Sequence, residues 1–181
     1  MKALFSTIIV SMFFFVNAFA QSSSTNHVVA VSVPQVALVN VVAPSTGITL
    51  SLTAPTTAGD WFAPVTNSLA FLQVSSVKKS ETGSRDINVN ATGIPSGLVL
   101  KVEAAGSSTG KGGRGTVVAG GVVLDGTDAP LVEGITTGFT GSAASNGFQL
   151  TYTLSADETA ANVAGLVSGA SNVTVTYTIT E

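Results

Sequence analysis

From His27 onward, apolar and polar residues alternate with a period of two. Residues 86–92 (DINVNAT) set Ile87, Val89 and Ala91 against Asn88, Asn90 and Thr92. Residues 98–104 set Leu98, Leu100, Val102 and Ala104 against Lys101 and Glu103. Residues 148–154 alternate Phe148, Leu150, Tyr152 and Leu154 with Gln149, Thr151 and Thr153. In residues 173–180, Val173, Val175, Tyr177 and Ile179 alternate with four threonines. Residues 48–53 (ITLSLT) follow the same rule. Successive side chains of a strand point to opposite faces, so each run predicts a strand with one buried and one wet face. Weaker strands are predicted at 69–74, 116–124 and 131–139.

Gly- and Pro-rich turns separate these runs, at 43–47, 92–97, 106–115 and 125–128. About eight to ten short strands divided by such turns predict an all-β fold, an antiparallel two-sheet β-sandwich. One segment breaks the period. Ser155-Ala156-Asp157-Glu158 matches the S-x-x-E capping box, and an Ala-rich run follows, which predicts one short helix near 156–167. Across it, the two Tyr-containing strands are expected to lie side by side.

The run 27–42 (HVVAVSVPQVALVNVV) has two readings. Val29, Val31 and Val33 share one face, and after Pro34 the apolar face shifts to Val36 and Leu38. Proline cannot donate to a ladder, so it marks an edge, a bulge or a switch of sheets. The first reading is one edge strand crossing between sheets. The second is a detachable strand, carrying Val29, Val31 and Val33, that pairs with another subunit's sheet edge.

The first residues change the setting. Lys2, the uncharged apolar run 3–16 and Ala18-Phe19-Ala20 have the three parts of a secretory signal peptide. The expected organisation is a signal peptide at 1–20, a disordered polar leader at 21–26 and a single domain at 27–181. The apolar run is shorter than the roughly 18 residues a membrane helix needs, and no membrane span is expected after signal removal. The expected location is secreted: a bacterial cell surface or periplasm.

Composition then narrows the chemistry. Charged residues make up 9% of the chain, net charge is −3, there is no cysteine and the one histidine is His27. Seven Lys and Arg cannot form a basic nucleic-acid footprint. Without cysteine and with one histidine, structural zinc, disulfides and a Cys–His nucleophile are excluded.

Motif-like stretches resolve into loops. Gly106 to Lys111 is one residue short of a P-loop, and Gly112 stands where the hydroxyl ligand belongs, so a flexible hairpin loop is expected. Asp125-Gly126-Thr127-Asp128 holds too few oxygens for calcium and predicts an Asp-Gly turn. No carboxylate pair stands in a glycosidase-like context. No catalytic, cofactor or metal residue is therefore assigned, and an enzyme is not expected. Trp61, the single tryptophan, sits in Asp60-Trp61-Phe62 and is read either as core or as a sugar-stacking ligand contact.

The alternating final strand, the signal peptide and the Ser/Thr/Gly/Val-rich pattern resemble bacterial surface-fibre subunits, the spore-coat-U-like and chaperone–usher pilin group. That resemblance implies an immunoglobulin-like sandwich completed by a neighbour's N-terminal strand. It also implies His27 to Val33 as the donor and Val173, Val175, Tyr177 and Ile179 as the strand bordering the acceptor groove. The chain departs from the group in lacking a cysteine pair and in Pro34. The expected function is a non-enzymatic structural protein assembling with itself or a related subunit through strand edges. The alternative is a carbohydrate-binding or adhesive module whose partner is a glycan.

Overall fold

The computed structural model describes residues 23–181. The expected signal peptide and its cleavage site lie outside the described residues. Residues 33–181 form one compact unit, and the preceding segment is described by itself. Residues 23–32 carry no strand or helix, and Val28, Val29 and Val31 are exposed.

The compact unit is all-β and antiparallel. Its elements are β1 (Val36–Val42), β2 (Val65–Val77), β3 (Arg85–Thr92), β4 (Leu98–Ala104), β5 (Lys111–Val117), β6 (Val122–Leu124), β7 (Ala129–Phe139), β8 (Phe148–Ala156), the short helix α1 (Ala160–Val163) and β9 (Thr174–Thr180). The strands form one nine-stranded hydrogen-bonded path, β6-β4-β8-β2-β7-β3-β9, with β1 added to β2 and β5 to β7. Beyond those ladders, β3 also lies against β6 and β4 against β7. The sheet therefore curls around one core.

The strand shared by both halves of the path is β2. Its first part pairs with β8 from Val65↔Leu154 to Leu72↔Phe148, and its end pairs with β7 at Ser75↔Phe139 and Ser76↔Gly138. At the handover, the buried Thr140 takes both roles of a ladder partner. Its N–H donates to Val74 O at 3.0 Å and its Oγ1 accepts from Val74 N at 3.0 Å. The core takes alternate residues from β2, β3, β4 and β8: Ala70, Leu72 and Val74; Ile87, Val89 and Ala91; Leu100 and Val102; Phe148, Leu150 and Tyr152; irregular β7 buries the consecutive Leu131 and Val132. Period-two alternation thus fixes which face each of those four strands buries.

Several expectations are corrected. In the N-terminal run, pairing begins at Val36, after Pro34, not at His27. Its inward residues are Val39 and Val41, while Leu38 is exposed. The register decides this: Val39 lies opposite Val74 and Val41 opposite Leu72, and directly opposed residues share a face.

Residues 48–53 enter no ladder. The second half of the loop expected at 106–115 is strand β5, and the strand expected at 116–124 is split between β5 and β6. Glycine is the reason. A Cβ on Gly112 would lie 2.4 Å from Thr137 O, and one on Gly113 would lie 1.9 Å from Thr136 Oγ1. Only a strand without side chains at these positions can pack this close to β7.

The helix is found, but its start is not the predicted box. Ser155 lies inside β8. Asp157 does the local work, its Oδ1 accepting from Thr159 N at 2.9 Å and its Oδ2 from Asn162 Nδ2 at 2.7 Å. Finally, β8 and β9 are not ladder neighbours: β8 lies between β4 and β2, and β9 beside β3. Among the described residues no helix is long and apolar enough to cross a membrane.

Candidate functional site

Among the described residues lies a mainly apolar cleft of about 1410 Å³. Two strand edges border it. β1 pairs only with β2, and β9 only with β3, so each keeps one edge without a ladder partner among the described residues. Val41 lines the cleft from β1; Val175 and Tyr177 line it from β9, with Val173 just before that strand. Ile179, the fourth residue expected here, packs against the core but does not line the cleft.

The β1 and β9 ends converge at one pole through Arg85. This side chain is 2% exposed. Its Nη1 donates to Ser76 Oγ at 2.8 Å, Val36 O at 2.9 Å and Val77 O at 3.2 Å. Its Nη2 donates to Glu181 Oε1 at 2.6 Å, and Gln35 Nε2 donates to the same oxygen. One guanidinium thus joins the start of β1, the end of β2, the start of β3 and Glu181, which follows β9. Buried charge is tolerated where its donors are used, and here all but Nε have partners.

Tyr152 and Tyr177 supply the polar feature of the cleft wall. Their hydroxyls lie 2.6 Å apart. The two Tyr-containing strands therefore meet through their side chains, not through backbone pairing. Burial raises both phenols above the ordinary tyrosine range, and for Tyr177 the neighbouring Tyr152 adds to the rise. The pair is not readable from the sequence, where the repeated Thr-Tyr-Thr triplet is its only trace.

Trp61 is absent from the buried core, which corrects the core reading. It is 39% exposed and meets Phe62 edge-on, ring centres 5.2 Å apart and planes at 75°. Both rings line the cleft. Val29, Val31 and Val33 are exposed and belong to no strand.

The Asp125–Asp128 segment behaves as a turn. Asp125 Oδ1 accepts from Thr127 N at 2.9 Å, and this bond holds its carboxyl below the usual range. No protein-family model, characterised protein or solved structure matches the chain.

Proposed function

We propose that this chain is a secreted, non-enzymatic structural subunit of a surface fibre or matrix, assembling by strand addition between copies. The observation that carries the reading is the pair of unpartnered edges, β1 and β9, flanking an apolar cleft. A strand laid along either edge gains main-chain hydrogen bonds, and the cleft takes its alternate side chains. Val29, Val31 and Val33 have the required spacing and are exposed. Exposed edges are normally blunted by charge, because bare ones associate. On β9 the outward residues are threonines instead.

The test is solution size. Sedimentation of the chain across a concentration series is expected to show polymers, and Val29→Asp with Val31→Asp is expected to abolish them without altering the far-ultraviolet spectrum. A chain that stays monomeric at every concentration overturns the reading.

A second reading rests on Trp61 and Phe62 at the cleft wall: an adhesive module that stacks sugars on the exposed indole. A saturable change of Trp61 fluorescence with soluble glycans, lost in Trp61→Ala, supports it. Unchanged fluorescence across a glycan panel overturns it.

A further inference from the structure

Residues 48–53 have the pattern of a strand without its pairing. Ile48, Leu50 and Leu52 are half-buried, while Thr49, Ser51 and Thr53 are exposed. That alternation is the signature of an extended backbone lying on an apolar surface. Ile48 and Leu50 pack on the core, and the stretch lines the same cleft as Val41 and Tyr177.

Its main chain is nonetheless almost unbonded. Among the described residues it takes part in no backbone–backbone hydrogen bond, and its one hydrogen bond is from Asn67 Nδ2 to Thr49 O at 3.4 Å. Folded chains average about one internal hydrogen bond per residue. Side-chain burial and that single long hydrogen bond hold this stretch in place.

Its flanks suit displacement. Gly47 (φ +78°) ends a turn closed by its own N–H to Pro44 O at 2.8 Å, and Gly59 (φ +95°) lies on the other side. Neither glycine has a neighbouring atom within reach of a Cβ. Residues 53–61 between the stretch and Phe62 are exposed. Moving the stretch outward breaks no ladder.

We propose that residues 48–52 are a guard in cis. They cover part of the apolar cleft in the lone subunit and give way when a second copy's strand adds beside β1 or β9. The proposal rests on the fibre-subunit reading above. An incoming strand wins because it offers a run of ladder bonds as well as side chains, whereas the guard offers side chains and one long hydrogen bond. The guard thereby sets the rate of assembly.

The absence of cysteine permits a clean test. Thr49→Cys with Asn67→Cys places two thiols where Asn67 Nδ2 reaches Thr49 O; in the fraction that mass shows to be crosslinked, oxidation pins the guard and reduction frees it in the same molecule. The rate of uptake of a labelled synthetic peptide spanning residues 27–35 is the readout. Oxidation is expected to slow uptake at least tenfold, with full recovery on reduction. Leu50→Ser, which loosens the guard without a crosslink, is expected to speed uptake several-fold over the unaltered chain. Equal rates in the oxidised and reduced forms, or no acceleration in Leu50→Ser, overturn the guard while leaving the fibre-subunit reading intact. If the unaltered, reduced and loosened chains all take up no peptide, the fibre-subunit reading fails and the guard falls with it.

Discussion

Replacing Arg85 by alanine is expected to cost far more stability than replacing its ionic partner Glu181. The asymmetry follows from burial. The guanidinium is 2% exposed and Glu181 is 60% exposed. Arg85→Ala strips donors from Val36 O, Val77 O and Ser76 Oγ, which stand 2.8–3.2 Å from Nη1. Each acceptor left unsatisfied in a buried site costs about 1–3 kcal/mol, with incomplete additivity. A loss of about 3–4 kcal/mol is therefore expected for Arg85→Ala. In Glu181→Ala the lost carboxylate was largely hydrated and the three neutral acceptors keep their donor, but the buried Nη2 loses its acceptor, so the loss is about 1–2 kcal/mol. Arg85→Met, which fills the space without a charge, should fall between them. Urea unfolding at a constant slope measures all three, and 1 M salt should narrow the gap little because the guanidinium is shielded from solvent. If Glu181→Ala costs as much as Arg85→Ala, the ion pair and not the set of neutral acceptors holds this pole together.

The tyrosine pair makes stability depend on alkaline pH. The folded phenols lie above the ordinary value of 10.0, so their contribution is complete below pH 10. It declines as the pH climbs past that point, where unfolded tyrosines ionise first. Absorbance titration with parallel denaturation checks this, and Tyr177→Phe should flatten the decline. Phe148→Ala, at a position 1% exposed, should cost about 3–5 kcal/mol, whereas Leu69→Ala on the outer face of β2 should stay within about 0.5 kcal/mol; thermal unfolding separates the two. Gly115→Ala should destabilise by more than about 2 kcal/mol, because a left-handed conformation (φ +86°) costs an ordinary residue about 1–2 kcal/mol and its Cβ would also lie 2.7 Å from Glu133 O. Gly106→Ala, with open space around it and no positive φ, is the neutral control for the same assay.

The period of two made most strands legible. β4 coincides with residues 98–104, and β3, β8 and β9 differ from their predicted runs by a residue or two. That signal reports the immediate chain, one face wet and one dry. It fails where the partner decides. Residues 48–53 alternate as well as any strand, yet no edge donates to them, and alternation is blind to that. β5 fails in the opposite sense. Lys111-Gly112-Gly113-Arg114-Gly115 has the composition of a loop, but its bare backbone is what allows close contact with β7. In β1, only the register against β2 shows that Val39 and Val41, not Leu38, turn inward. Within the candidate site, Val173, Val175 and Tyr177 were visible as one strand face. Arg85 was not, since nothing local distinguishes a buried cation from a surface one. The phenol contact between Tyr152 and Tyr177 joins residues that the chain path alone does not bring together.

The shared strand β2 also governs how the molecule comes apart. Its thirteen residues touch β8, β1 and β7, so the two halves of the path are joined only through it. Fraying β2 at its start removes the ladder partner of β8, and fraying it at its end removes that of β7 and β1. The compact unit should therefore unfold in a single all-or-none step, its calorimetric and van't Hoff enthalpies equal. Its slowest-exchanging amides should cluster in the middle of β2, near Leu72 and Val74. A protein so poor in charge and devoid of crosslinks has concentrated its cooperativity in one length of backbone.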